Sequence, residues 1–320
     1  MIHTNLSQHT ARGLQELRKR IEASEVPSSL LDEQILVASW NIREFGRKRR
    51  TNKAIHYIAE ILSYFDLISL QEVRANLEDL QRVMSVLGPY WRVVFSDETE
   101  GRRGNEERIA YLYDKRAVTF TGLAAEAVAP PIRRQGNGKT EVVPSEQFWR
   151  TPYIASFRAG TFDFVLISVH VQWGIEKNRV VELQRIADWV EERRKSRYVV
   201  DKDLLLMGDF NIPKHNDRFY KAISVHGLEA PKAILGVPGG SNLKRNARYD
   251  QIFYYPQHTG SVFADQGGVV DFYAGSHKEL FPELSFDRFT YQLSDHLPLW
   301  VLVKTDTVDE ELDQILNPGA

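Results

Sequence analysis

The 320-residue chain is 42% hydrophobic and 26% charged, with a net charge of −2 and no cysteine. This balance suits a globular protein with a substantial core and excludes disordered, collagenous and coiled-coil chains. The lack of cysteine excludes disulfides, thiolate metal sites and cysteine nucleophiles, so a reducing, cytoplasmic setting is expected. No apolar run approaches the ~18 residues that a membrane-spanning helix needs. The first 30 residues also lack the apolar core of a signal peptide.

Along the chain, Leu14, Leu17 and Ile21 have helical spacing and Pro27-Ser28-Ser29 breaks it, which predicts an N-terminal helical extension over residues 1–33. Ile35-Leu36-Val37-Ala38-Ser39-Trp40 reads as a short buried strand. Residues 43–53 then place Arg43, Arg47, Lys48, Arg49, Arg50 and Lys53 against Glu44 alone, a basic run whose plain reading is a solvated face. Asn52 is expected to cap a helix through Ile55, Ile58, Ala59 and Leu62. A buried strand, Leu67-Ile68-Ser69-Leu70, follows, and Asn76 precedes a helix through Leu80, Val83, Met84 and Leu87. Strands are predicted at Trp91–Phe95, Ile109–Tyr113, Tyr153–Phe157 and Phe162–Val169, with a long surface loop over 124–147. A long helix through Val180, Leu183, Ala187 and Val190 comes next. The last strands are Asp203–Met207, Tyr249–Tyr254 and Leu299–Val303, and an acidic tail spans 305–320. The mixture favours a layered α/β arrangement, with sheets packed face to face and helices outside, over a strictly alternating barrel.

Polar groups recur where apolar strands end. Ser39-Trp40 runs into Asn41, Leu70-Gln71 into Glu72, Val169 into His170, and Met207-Gly208 into Asp209-Phe210-Asn211. Asp250 stands at the start of a strand, and Asp295-His296 just before Leu297-Pro298-Leu299. Taken singly, each suits a turn or a satisfied core imidazole. Together they form an inventory for a hard divalent cation beside acid–base groups. Mg²⁺ takes oxygen ligands and keeps several waters, so one or two carboxylates suffice. Histidine beside it is better suited to carrying protons. Attack of water on a phosphorus ester uses that combination. The chain has no phosphate loop, no nucleophile elbow and no zinc-protease helix.

In that order, Trp40-Asn41-Ile42, Gln71-Glu72-Val73, Gly208-Asp209-Phe210-Asn211 and Ser294-Asp295-His296 resemble the endonuclease/exonuclease/phosphatase superfamily over about residues 35–304. Asn41-Ile42-Arg43-Glu44-Phe45-Gly46, Gln71-Glu72-Val73-Arg74, Glu107-Arg108, Arg150-Thr151-Pro152 and Tyr249-Asp250-Gln251-Ile252 are most similar to its deoxyribonuclease I-like branch. The resemblance implies an α/β (α+β type) four-layer sandwich, two packed mixed β-sheets flanked by helices, with one catalytic domain over 34–304. It implies Glu72 as principal Mg²⁺ ligand, helped by Asn41, with Asp295 at the metal or just behind it. Mn²⁺ or Ca²⁺ would substitute or assist. Asp209 would position the attacking water and Asn211 a phosphate oxygen. Asp250 would orient His296 and Glu107 would orient His170. Arg43, Arg74 and Arg150 match positions that touch nucleic-acid phosphates or the minor groove.

The resemblance thus implies an intracellular Mg²⁺-dependent DNA endonuclease that leaves 5′-phosphate and 3′-hydroxyl ends. The alternative is a same-fold enzyme for inositol phosphates, phospholipids or another small phosphoester; a non-catalytic binding module should have lost a ligand or an imidazole. Secreted deoxyribonucleases carry disulfides, and this chain has none. Asn105 stands where they place a minor-groove tyrosine. The segment Val171-Gln172-Trp173-Gly174 also differs, and Trp173 is a candidate for stacking on a base.

Overall fold

The computed structural model describes residues 1–4, 6–99, 106–129, 131–136, 139–143, 147–308, 312 and 316. Asn105 and most of the acidic tail, including Asp309, Glu310, Glu311 and Asp313, lie outside the described residues.

Helix α1 (Gln8–Glu22) is capped by Ser7, whose hydroxyl accepts the Thr10 amide at 3.1 Å. Its Leu14, Leu17 and Ile21 belong to the main core. Buried Arg20 ties it down by donating to the Phe272, Tyr273 and Ser276 carbonyls at 3.1, 2.8 and 2.8 Å. Strand β1 (Gln34–Phe45) leads through α2 (Asn52–Leu62) to β2 (Leu67–Arg74), which pairs parallel with β1. The cap of α2 is Thr51 rather than Asn52: the Thr51 hydroxyl accepts the Ala54 amide at 3.2 Å, while Asn52 is already helical and accepts from Arg82. Then come α3 (Glu78–Leu87), β3 (Trp91–Phe95) and β4 (Glu107–Asp114).

Strand β5 (Thr119–Glu126) runs into the span expected to be a loop, and β6 (Ile132–Gly136) pairs with β7 (Lys139–Val143) as a hairpin. Part of 124–147 is therefore strand. These strands lie at a sheet edge or outside the two main sheets, where no core demands an apolar alternation. The chain continues through β8 (Tyr153–Ala159), β9 (Phe162–His170), α4 (Glu176–Lys195), β10 (Leu204–Asp209), α5 (Arg218–Ile223), α6 (Lys232–Gly236), β11 (Asp250–Phe253), α7 (Pro256–Thr259), β12 (Phe263–Val269), α8 (Phe286–Thr290) and β13 (Leu299–Lys304).

One sheet has the order β12-β13-β1-β2-β4-β3, and the second has the order β11-β10-β9-β8-β5. The sheets pack face to face, and the apolar runs show why. In β9 and β10, Phe164, Leu166, Leu205 and Met207 enter the core between the sheets. The intervening Val165, Ile167, Val169, Leu204 and Leu206 pack on the other side with Leu183, Ile186, Ala187 and Val190 of α4. A strand buried on both faces carries apolar residues on both, which is how these segments read, with buried Ser168 the polar exception near the end of β9. Each sheet has one parallel pair, β1 with β2 and β9 with β10. The C-terminal ends of both pairs open on the same cleft. Beneath it, Ser69 and Ser168 hydrogen-bond across the sheets at 2.6 Å, and the Gln71 amide donates to both, at 2.9 and 3.1 Å.

Candidate active site

Strand register assembles the site. Asp209 ends β10 opposite His170, which ends β9, and on its other side it pairs with Asp250. Because β11 runs antiparallel to β10, a residue at its start meets residues at the ends of the others. In the first sheet Asn41 pairs with Gln71. The β2–β4 register slips between Leu70 and Val73, and Glu72 takes a left-handed φ of +62°. Such an irregularity re-aims a side chain out of the ladder. Asn211 and Glu44, with φ of +52° and +47°, are held in the same uncommon conformation. Clustered backbone strain of this kind marks functional sites.

Asn41 Nδ2 donates to Glu72 Oε1 and to Asp209 Oδ2, both at 3.0 Å. The Glu44 amide donates to Glu72 Oε2 at 2.7 Å. Asp209 Oδ1 accepts the Asn211 amide at 2.9 Å, and Asn211 Nδ2 donates to the Val171 carbonyl at 2.7 Å. Two carboxylate–imidazole pairs flank this centre: His170 Nδ1 to Glu107 Oε2 and His296 Nδ1 to Asp250 Oδ2, each 2.8 Å. Their free Nε2 atoms converge on Asp209 Oδ2, at 3.7 Å for His170 and 3.9 Å for His296. Burial opposes the His296 charge, but Asp250 and Asp209 overcome it and raise its pKa well above the usual histidine value. The two carboxylates thus favour the charged form of the imidazole. Ser294 completes the corner, donating to the Asn41 carbonyl at 2.6 Å and accepting the His296 amide at 3.0 Å.

Among the described residues, Asp209, Asp250 and His296 place ligand atoms within 4.8 Å of one another, as a divalent metal site would require. Asn41 Oδ1 and Asp250 Oδ1 are buried without a hydrogen-bond partner. Orphaned buried oxygens beside Glu72 and Asp209 fit an oxygen-seeking cation. Asp295 also lines the cleft, where its half-exposed carboxylate stands 4.0 Å from Arg43 Nη1.

The arginines differ. Arg43 lies over the Tyr291 ring, 4.0 Å from its centroid, and contacts Thr290. Arg150 Nε and Arg74 Nη2 stand 2.6 and 3.5 Å from the Glu107 carboxylate, beside the cleft. Within the basic run, Arg50 is buried and donates to the Ile42 and Arg43 carbonyls at 3.2 and 2.5 Å, while Arg47 pairs with Glu44. The run is therefore not one uniform cationic face. Sequence reading missed Glu44, Tyr249, Tyr291 and Arg179, of which the first three line the cleft. Arg179, from α4, donates to the Asn211 carbonyl at 2.8 Å. Tyr249, next to Asp250, and Glu44, next to Arg43, left a signal by adjacency.

A model of the Endonuclease/Exonuclease/phosphatase family matches residues 38–296. A deoxyribonuclease of Thioalkalivibrio sp. (strain K90mix) is 27% identical over 306 residues, covering 89% of this chain and 75% of that protein. Human deoxyribonuclease-1 is 25% identical over 283 residues, covering 84% of this chain and 92% of its own. Among solved structures, an endonuclease/exonuclease/phosphatase family protein from Bacteroides thetaiotaomicron superposes with a TM-score of 0.57 at 18% identity, covering 85% of this chain and 98% of that one. D. rerio TDP2 complexed with a single-strand DNA product gives 0.55 at 14% identity, covering 84% and 98%. Among the described residues, no helix is long and apolar enough to cross a membrane.

Proposed function

The chain belongs to the endonuclease/exonuclease/phosphatase family, and on that premise we propose that it is a Mg²⁺-dependent endonuclease hydrolysing phosphodiester bonds of DNA to 5′-phosphate and 3′-hydroxyl ends. The observation that carries hydrolysis is the convergence of two imidazole Nε2 atoms on one carboxylate, each imidazole fixed from behind by another. A carboxylate on Nδ1 sets the tautomer and leaves Nε2 to meet the substrate. The deoxyribonuclease relatives support DNA as the polymer, with Arg43, Arg74 and Arg150 beside the cleft as phosphate contacts.

In this reading Glu72 and Asn41 would hold the cation, helped by Asp295, and Asp209 aims a water at phosphorus. The bound cation offsets negative charge that grows on the phosphate oxygens. Asn211 binds a non-bridging oxygen. His296, held by Asp250, donates to the phosphate, and His170, tethered to Glu107, serves the leaving oxygen. Residues 34–304 carry the chemistry.

The test is nicking of supercoiled plasmid with Mg²⁺, with EDTA, Glu72→Ala and His170→Ala as controls. A parallel phosphate-release assay uses inositol phosphates and a lipid phosphoester. We expect metal-dependent nicking, reduced by about 10²–10⁴-fold in either folded variant. An intact plasmid with phosphate released in the parallel assay would replace DNA with a small phosphoester. Folded variants that nick at the original rate would remove the site itself.

A further inference from the structure

Trp173 is 61% exposed, yet the loop that carries it is firmly held. The Val171 amide donates to the Asp209 carbonyl at 2.8 Å, and the Gln172 amide to buried Glu182 at 3.1 Å. Arg179, 4% exposed, sits 4.7 Å from the centroid of the Trp173 ring and 4.6 Å from that of Phe219, so its guanidinium packs against both rings. The same group donates to the Asn211 carbonyl at 2.8 Å, which ties the stack to the site. Tyr249 meets the indole edge-on, with centroids 5.4 Å apart, and lies 5.9 Å from the His296 ring. The indole is thus braced on one side, open on the other and one ring removed from an acid–base imidazole.

A single exposed aromatic residue needs no explanation by itself. A rigid, backed and half-bare indole lining the cleft does. Flat apolar surface that is fixed before binding loses little entropy on contact, which is how stacking platforms gain affinity. Resting on the nuclease reading above, we infer that Trp173 stacks on the nucleobase adjoining the scissile phosphate. The substrate class that follows is single-stranded or locally unpaired DNA. Inside a duplex both faces of every base are covered by neighbours, so an indole reaches a bare face only where a base is unstacked. Every base has such a face, so cleavage tolerates sequence while requiring an opened strand.

The test removes each side of the contact in turn. Binding of a short labelled single strand is measured by fluorescence anisotropy with Mg²⁺ in a His170→Ala background, and with EDTA in the unmodified chain. Each nucleotide is replaced in turn by an abasic one. Loss of the base at one position should weaken binding about tenfold. Trp173→Ala should weaken the intact strand by a similar factor, and the abasic penalty at that position should then vanish, because the two changes remove one interaction. Trp173→Phe should restore part of the affinity. A general structural defect would leave the abasic penalty in place. An unchanged penalty in Trp173→Ala, or none at any position, overturns the platform. Should Trp173→Ala fail to fold, the abasic series on the unmodified chain and on Trp173→Phe decides alone. Metal-dependent cleavage of the same labelled single strand by the unmodified chain reports separately on the nuclease reading.

Discussion

Glu107 shows how one side chain organises half of the cleft. Its carboxylate meets His170 Nδ1 at 2.8 Å and Arg150 at 2.6 Å, with Arg74 at 3.5 Å, in a position only 4% exposed. Burial opposes its charge, but His170, Arg150 and Arg74 outweigh burial and hold the carboxyl at about 2, against an ordinary 4.5. A folded value below the unfolded one means that the ionised form stabilises the fold. That contribution is whole above about pH 4.5 and is lost as pH falls through about 2. Glu107→Gln leaves the Arg150 guanidinium and the His170 imidazole short of their counter-charge, while Arg74 keeps Glu44 at 3.2 Å, so it should cost on the order of 3 kcal/mol at pH 7. In urea titrations, the gap between the two proteins should narrow as pH drops from about 4.5 towards 3. Cleavage should fall at least about 10²-fold, because His170 loses both tautomer and orientation. A variant with equal stability and turnover would remove Glu107 from both roles.

At the scale of elements, the site depends on β9 and β10 lying close enough for His170 and Asp209 to stand side by side. Gly208 makes this possible. Its φ is +137°, and a Cβ there would lie 2.0 Å from the Val169 carbonyl oxygen, its partner in the β9–β10 register. Gly208→Ala should therefore cost about 2–4 kcal/mol in chemical denaturation and depress turnover in the protein that still folds. Unchanged stability would mean that the ladder shifts freely. The same two strands were legible in the sequence because both faces are buried, which makes them continuous apolar runs. Strand β12 was not, since Phe263-Ala264-Asp265-Gln266-Gly267-Gly268-Val269 lies at a sheet edge and has no alternation to read. Residues where the apolar runs stop could be found the same way, and Asn41, Glu72, His170 and Asp209 gather at one cleft, with Asp250 buried behind His296. Arg179 and Tyr291 could not, because they meet the site through contacts distant in sequence. Arg50 read as surface charge, yet the loop folds its own carbonyls around that guanidinium.

At the scale of the molecule, charge sets a condition on the DNA reading. The net charge is −2, and the cleft holds Glu72, Asp209 and Asp295 beside its arginines. Long-range attraction to a polyanion therefore has to come from local cations, with a divalent ion offsetting the carboxylates. Arg43 is the cation best placed to test this. It lines the cleft, is about one-quarter exposed and sits against Tyr291 rather than within the fold. If it meets a phosphate, its removal frees one counterion's worth of salt dependence. The slope of log K against log salt should become shallower by about one in Arg43→Ala, with weaker binding on every DNA sequence. Arg74→Ala and Arg150→Ala should combine a similar loss with a drop in stability, because both also neutralise Glu107. Lys53, which lies on α2 over the Phe281 ring and away from the cleft, is the comparison, and Lys53→Ala should leave the slope unchanged. Equal slopes for Arg43→Ala and the unmodified chain would take Arg43 off the phosphate path. A flat salt dependence in the unmodified chain would go further, since a polyanion cannot be held at such a cleft without releasing counterions.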